Sequence, residues 1–146
     1  MLQTLRVLLV EDDDSLRNCL GELLGSRGFD VGATGHAVEA LRMVQRQRYD
    51  FSLLDFHLPG MTGLELFQQV AALRPLPSIL MSGLASAEEA AAAAHAGFFA
   101  FLRKPLDLAR LRTTLDALVE THFRGKHRSG RPGKRPSSLP PPPPGF

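Results

Sequence analysis

The sequence predicts an α/β fold in which five parallel strands form a doubly wound sheet flanked by five helices. Short apolar runs alternate five times with segments of helical periodicity over about residues 4–122. The runs are apolar at almost every position, as in strands that are buried on both faces of a parallel sheet. The chain has 146 residues, 44% of them hydrophobic, which suffices for one core of ordinary size.

Each predicted strand is bounded by turn or helix signals. In chain order the strands span residues 5–10, 29–33, 49–55, 78–82 and 98–102. The third strand ends at the carboxyl group of Asp55, and the loop after it contains the turn signal Pro59-Gly60. Because the carboxyl ends of parallel strands meet at one edge of the sheet, we expect the functional site there.

A helix is predicted after each strand. Asp13 or Asp14 caps the first helix and Asp107 caps the last, since a side-chain carboxylate can accept from free backbone N–H groups. Apolar residues at helical spacing should face the core. They are Leu16, Leu20, Leu23 and Leu24 in the first helix, Ala37, Leu41 and Val44 in the second, Leu66, Phe67, Val70 and Leu73 in the third, and Leu108, Leu111, Leu115 and Leu118 in the fifth.

Two helices begin with the same motif, a capping box. Thr62-x-x-Glu65 opens the third helix, and Ser86-x-x-Glu89 opens the fourth, which is rich in alanine and ends near Gly97. In a capping box the hydroxyl accepts from the backbone N–H of the glutamate, whose carboxylate accepts from the backbone N–H of the first residue. The sequence therefore predicts two equivalent helix starts.

The basic character of the chain is confined to its C-terminal end. Six Lys and Arg residues and no acids lie from Arg124 onward, so residues 1–123 carry 11 basic and 15 acidic side chains, or −4 in total. Seven of the 11 prolines also lie in this end. We predict a folded domain over 1–123 and a disordered, basic, Pro-rich tail over 124–146.

Three interpretations of the tail stay open. It is a solvated extension, a proline-rich ligand for an SH3-like partner, or a contact for nucleic-acid phosphates without sequence preference. About 24 residues after the last predicted helix are too few for a helix-turn-helix domain. We therefore expect no sequence-specific DNA binding.

Several classes of protein are disfavoured by composition. A single cysteine, Cys19, permits no internal disulfide and no cysteine-built zinc site. No uncharged apolar run approaches the roughly 20 residues of a membrane helix, and no secretory signal pattern opens the chain. Neither G-x-G-x-x-G nor G-x-x-x-x-G-K-[ST] is present. The sequence predicts a soluble cytoplasmic protein without a membrane partner.

Five polar residues follow the ends of predicted strands. They are Glu11 and Asp12 after the first, Asp55 at the end of the third, Ser82 at the end of the fourth and Lys104 after the fifth. Crowded carboxylates repel one another unless a cation joins them, and an all-oxygen ligand set suits Mg²⁺. A carboxylate beside Mg²⁺ and a lysine can act as the nucleophile on a phosphoryl group.

Four segments at these strand ends make the chain resemble the receiver domain of a two-component response regulator, as a stand-alone, single-domain regulator. The matching segments are 8–13 (LLVEDD), 53–63 (LLDFHLPGMTG), 79–83 (ILMSG) and 101–105 (FLRKP). The resemblance covers about residues 4–122 and implies a flavodoxin-like sheet with strand order 2-1-3-4-5. It also implies a phosphoprotein of a phosphorelay that catalyses only its own phosphorylation and dephosphorylation and is otherwise no enzyme.

The resemblance implies a role for each matching residue. Asp55 corresponds to the phosphoacceptor, and Asp12, Glu11 and Asp55 to the Mg²⁺ ligands, with Glu11 acting mainly through water. The backbone carbonyl of His57 would be a further ligand. Lys104 would pair with the phosphoryl group.

The resemblance also implies a switch. Ser82 corresponds to the hydroxyl that moves toward the phosphoryl group, and Phe101 stands where tyrosine or histidine is more usual in the family. Pro105 would follow a cis peptide bond. The expected partners are a histidine kinase or phosphotransfer protein and an unknown downstream protein. The switch would be read on the face formed by the fourth helix, fifth strand and fifth helix, which is also the expected surface for a homodimer.

Two other functions are alternatives to this one. A pseudo-receiver would keep the fold as a scaffold without phosphorylation, but the complete set of acids, Ser82 and Lys104 argues against it. A hydrolase with an aspartyl-phosphate intermediate, of the haloacid dehalogenase type, would need a second acid two residues after Asp55. His57 stands there, and no cap insertion is present.

Overall fold

A computed structural model describes residues 4–124, which form five main strands, five helices and a short hairpin. The predicted tail lies outside the described residues except for Arg124. The elements in chain order are β1 (Arg6–Val10), α1 (Asp14–Ser26), β2 (Asp30–Thr34), α2 (Ala37–Arg46), β3 (Phe51–Asp55), β4 (His57–Leu58), β5 (Met61–Thr62), α3 (Gly63–Leu73), β6 (Ser78–Ser82), α4 (Ala87–Ala96), β7 (Ala100–Arg103) and α5 (Leu108–Phe123).

The main sheet confirms the predicted fold class and strand order. Its strands lie in the order β2-β1-β3-β6-β7, and all four pairings are parallel. The strands β4 and β5 form a separate antiparallel hairpin, which the sequence did not predict. With that hairpin set aside, the observed order is the expected 2-1-3-4-5.

The core has one half on each face of the sheet, as a doubly wound fold requires. Neighbouring residues on a strand point to opposite faces, so Leu8 and Leu9 enter different halves. The Leu9 half packs against α1 and α5, and the Leu8 half packs against α2, α3 and α4. Burying one leucine fully contributes about 1.5–3 kcal/mol. The two half-cores therefore hold the strands in register and fix their carboxyl ends.

Two of the residues predicted to face the core do not do so. The side chains of Leu73 and Leu108 are 54% and 43% exposed. Leu73 is the last residue of α3 and Leu108 is the first of α5. The helical stripe is correct in its spacing, but these two residues at helix ends are exposed to solvent.

The prediction of two equivalent capping boxes is wrong for the second. The first box is complete: the Thr62 hydroxyl accepts from the Glu65 backbone N–H, and the Glu65 carboxylate accepts from the Thr62 backbone N–H. At α4 the Ser86 hydroxyl accepts from the Glu89 N–H at 3.1 Å, but the Glu89 side chain turns away from the helix start. A tertiary contact has replaced the local one.

No helix within residues 4–124 combines the length and the apolarity that crossing a bilayer would need.

Candidate functional site

The three carboxylates predicted to form a metal site converge at the carboxyl edge of the sheet. Glu11 follows β1 and is fully buried, Asp55 ends β3 and is 3% exposed, and Asp12 is exposed. One carboxylate oxygen from each lies within 4.8 Å of the others. The pairing of β1 with β3 holds the two buried carboxylates side by side.

Lys104 joins the two buried carboxylates. Its Nζ lies 2.7 Å from Glu11 Oε1 and 3.1 Å from Asp55 Oδ1, and its side chain is 19% exposed. The Lys104 backbone N–H donates to the Ser82 carbonyl oxygen at 2.9 Å, which fixes the end of β7 against β6. The peptide bond between Lys104 and Pro105 is cis, as expected.

Burial controls the charge state of this cluster. Loss of hydration raises the pKa of Asp55 and of Glu11 above their ordinary values, although the Lys104 ammonium opposes the rise in each. Burial also lowers the pKa of Lys104, but its contacts with Glu11 and Asp55 outweigh that effect and leave it above its ordinary value. One cation faces three carboxylates, so the cluster has an excess of negative charge.

Backbone groups orient the same carboxylates. The Asp13 backbone N–H donates to Glu11 Oε2 at 3.0 Å, and the His57 backbone N–H donates to Asp55 Oδ1 at 3.3 Å. Gly63, at the start of α3, lies so close to the Asp55 carbonyl oxygen that a Cβ atom there would stand 2.2 Å from it. Fixed backbone thus surrounds Asp55, with the His57 N–H at its carboxylate and Gly63 against its carbonyl oxygen.

The donor set fits a magnesium ion. Mg²⁺ takes oxygen ligands at about 2.0–2.1 Å in octahedral geometry and keeps several waters. Carboxylate oxygens within 4.8 Å of one another can share one such ion with small side-chain adjustments. The exposure of Asp12 leaves this side of the cluster open to water.

Ser82 is held by a carboxylate that the sequence analysis did not assign to the site. Its hydroxyl, fully buried, donates to Glu89 Oε1 at 2.5 Å and accepts from the Ala85 backbone N–H at 3.1 Å. The other Glu89 oxygen, Oε2, lies 3.0 Å from His57 Nε2. Ala85 has a positive φ of 46°, which is unusual for a residue with a Cβ.

Phe101 lies inside the fold rather than on its surface. Its side chain is 5% exposed and packs in the half-core that contains Ala93 of α4. It also lines a shallow pocket on the face between α4, β7 and α5, together with Ala90, Arg103, Pro105 and Arg110. The role of Phe101 as a switch residue stays a prediction.

Two residues near the site were missed by the sequence analysis. Glu89 sits in a motif that local structure alone explains, so nothing marked it out. Arg17 of α1 donates from Nη1 to the Glu11 carbonyl oxygen at 2.8 Å and from Nη2 to Asp14 at 2.7 Å. The i,i+3 spacing of Asp14 and Arg17 is a signal that could have drawn attention to this contact.

The fold and its charged edge place the protein among CheY-like α/β domains. Residues 7–116 match the response regulator receiver domain family, so the chain belongs to that family. Receiver domains are signalling modules of two-component systems rather than classical enzymes, and they interact with histidine kinases or phosphotransfer partners. The predicted family and class of protein are confirmed.

Curated relatives include both multidomain regulators and a protein of similar size. The chain is 34% identical over 115 residues to the transcriptional regulatory protein GlrR of Escherichia coli, covering 78% of this chain and 26% of that protein. It is 37% identical to the transcriptional activator PfeR of Pseudomonas aeruginosa, covering 78% of this chain and 37% of that protein. It is 30% identical to the chemotaxis protein CheY-3 of Vibrio cholerae, covering 81% of this chain and 94% of that protein.

Solved structures of receiver domains also resemble this chain. A CheY-like receiver domain from Methanospirillum hungatei is 28% identical, with a TM-score of 0.72 over 82% of this chain and 99% of that chain. The receiver domain of a LuxO-type repressor from Vibrio parahaemolyticus is 25% identical, with a TM-score of 0.77 over 82% of this chain and 93% of that chain.

Proposed function

We propose that the protein accepts a phosphoryl group on Asp55 and thereby passes a signal from a histidine kinase or phosphotransfer protein to a downstream partner. The observation that carries this proposal is the position of Lys104, whose Nζ contacts both Asp55 and Glu11 beside the exposed carboxylate of Asp12. This arrangement offers a nucleophile, a cation and oxygen ligands for Mg²⁺ at one place.

The transfer of the phosphoryl group requires no reactant besides its donor and Asp55. A carboxylate oxygen of Asp55 attacks phosphorus, and the bond from phosphorus to the donor atom breaks with its electron pair leaving on the donor. With phosphohistidine the P–N bond breaks and the imidazole of the histidine is the leaving group; with acetyl phosphate the P–O bond breaks and acetate is the leaving group. Lys104, whose Nζ is 3.1 Å from Asp55 Oδ1, would then pair with the phosphoryl oxygens.

The bound metal would neutralise phosphoryl charge during the transfer. Glu11, Asp12 and Asp55 would hold Mg²⁺ through their carboxylates, and the His57 backbone carbonyl would complete the protein's share of the ligands. Water and substrate oxygens would occupy the remaining coordination positions of the ion, as is usual for Mg²⁺.

The proposed output is a shift between two states of the domain. Ser82 would turn to the phosphoryl group, and Phe101 would repack in the half-core behind α4. The pocket between α4, β7 and α5 would change with it, which makes this face the candidate surface for the downstream partner and for a homodimer.

The test is phosphoryl uptake from acetyl phosphate, measured by intact mass. The parent protein should gain one phosphoryl group in Mg²⁺ and none in EDTA, and Asp55→Asn should gain none in either. A parent that stays unmodified with acetyl phosphate and with a panel of kinases would favour the pseudo-receiver. Sustained turnover of a phosphate ester would favour a hydrolase.

A further inference from the structure

The single proton of the buried Ser82 hydroxyl already has an acceptor. The hydroxyl donates this proton to Glu89 Oε1 at 2.5 Å and accepts from the Ala85 backbone N–H at 3.1 Å. A serine hydroxyl has one proton to donate. Any second acceptor, such as a phosphoryl oxygen on Asp55, must therefore compete with Glu89 for it.

Glu89 is itself fixed in place from two directions. Its backbone N–H donates to the Ser86 hydroxyl at the start of α4, and its Oε2 lies 3.0 Å from His57 Nε2 in β4. Its side chain is 11% exposed and its contact with Ser82 is buried, whereas the His57 side chain is 48% exposed. The carboxylate is an anchored acceptor that links α4, β4 and the end of β6.

We propose that Glu89 is a positioning residue that holds the Ser82 hydroxyl away from Asp55 in the unphosphorylated protein and so opposes the switched state. This inference rests on the proposed phosphoacceptor function and adds a residue that sets its equilibrium. Glu89 stabilises one of two positions of the hydroxyl, and a phosphoryl group stabilises the other. Removing Glu89 must then favour binding of the phosphoryl group, because the two are coupled through one proton.

The measurement is the affinity of the full chain for beryllofluoride, a phosphoryl mimic that binds a carboxylate, by calorimetric titration in Mg²⁺. Glu89→Ala should bind it about tenfold more tightly than the parent, the change expected from losing one hydrogen bond to a charged group. Glu65→Ala is the matched control, because it removes the same side chain from the equivalent position of α3. Its affinity should equal that of the parent.

The Ser82→Ala background separates positioning from simple charge repulsion. Glu89 is negative, so its removal could help an anionic ligand directly. A direct effect of that kind would persist when Ser82 is replaced, whereas the positioning effect requires the hydroxyl. Glu89→Ala should therefore change the affinity of Ser82→Ala by less than twofold.

The outcomes distinguish this proposal from the function on which it rests. A parent that neither binds beryllofluoride nor takes up phosphate overturns both. A parent that binds, with no gain in Glu89→Ala or with the same gain in the Ser82→Ala background, overturns the role of Glu89 alone. Should Glu89→Ala not fold, Glu89→Gln supplies the test. A neutral acceptor bonds the hydroxyl about half as strongly, so it should show a smaller gain that also needs Ser82.

Discussion

The helices α3 and α4 begin with the same sequence motif, but the glutamate side chain of that motif makes different contacts in the two helices. In α3 the Glu65 side chain folds back onto the Thr62 backbone N–H and completes a capping box. In α4 the Glu89 side chain leaves its helix and bonds Ser82 and His57 instead. The same spacing thus gives a local capping box at one helix start and a tertiary hydrogen bond at the other.

The surroundings of the two helix starts explain the difference. Glu65 lies at the surface, where the backbone N–H and the hydroxyl of Thr62 donate to its carboxylate, and its contacts are exposed. Glu89 is 9% exposed and lies beside a buried hydroxyl and an imidazole. A buried hydroxyl without an acceptor costs about 1–3 kcal/mol, more than the second half of a capping box contributes. The tertiary contact therefore prevails at α4.

The largest expected effect comes from comparing two glycine-to-alanine substitutions, one at the start of α3 and one in the segment before α4. Gly63→Ala would place a Cβ 2.2 Å from the Asp55 carbonyl oxygen, whereas a Cβ at Gly83, just before α4, meets nothing within 4 Å. Gly63→Ala should lower the free energy of unfolding by about 1–3 kcal/mol, since the backbone must shift. Gly83→Ala should be neutral or stabilising by up to about 1 kcal/mol.

Urea unfolding of the two glycine variants checks this contrast. If Gly63→Ala and Gly83→Ala lost the same stability, the close approach of Gly63 to the Asp55 backbone would not constrain the start of α3.

The next effect concerns the two glutamates. Glu89→Ala leaves the buried Ser82 hydroxyl without its acceptor and should lower the free energy of unfolding by about 1–2 kcal/mol. Glu65→Ala removes a solvent-exposed half of a capping box and should cost about 0.5 kcal/mol. Thermal unfolding at one pH in EDTA compares them, and a larger loss for Glu65→Ala would contradict the account.

The smallest effect is a pH dependence in the absence of divalent ions. Burial raises the pKa of Asp55 above its ordinary value of 3.8, so the folded state disfavours the ionised carboxyl. Stability from this group is fully present below pH 3.8 and is lost as the pH rises through the folded pKa. Glu11 behaves in the same way from its ordinary value of 4.5.

Asp55→Asn removes one of these two titrations. In EDTA the variant should be more stable than the parent, and its advantage should grow as the pH rises from about 3.8 and then level off. Melting temperatures across this range test the sign. An advantage that shrinks with rising pH would mean that the Lys104 ion pair outweighs burial. Added Mg²⁺ should raise the melting temperature of the parent by mass action.

The predictable part of the site is the part built by strand ends. Glu11, Asp55, Ser82 and Lys104 each follow an apolar run, and a parallel sheet brings such positions together whatever the details of packing. The same periodic signals predicted the sheet and its helices. The convergence of these four residues could therefore be predicted without any knowledge of side-chain contacts.

The unpredictable part depends on where a helix meets its neighbours. Leu73 and Leu108 continue the apolar stripes but are exposed at helix ends, which periodicity does not reveal. The choice of Glu89 between its own backbone and Ser82 depends on distances across the fold. The positive φ of Ala85, which lets its N–H reach Ser82, has no signal in an alanine residue.

The account depends most on Asp55 being the residue that receives phosphorus. Borohydride reduction of the protein after treatment with acetyl phosphate and Mg²⁺ converts an acyl phosphate on aspartate to homoserine, which peptide mass spectrometry can locate. We predict conversion at position 55 and none at Asp12 or Asp13. Conversion at another residue, or none in a protein whose fold and Mg²⁺ binding are intact, would contradict the account.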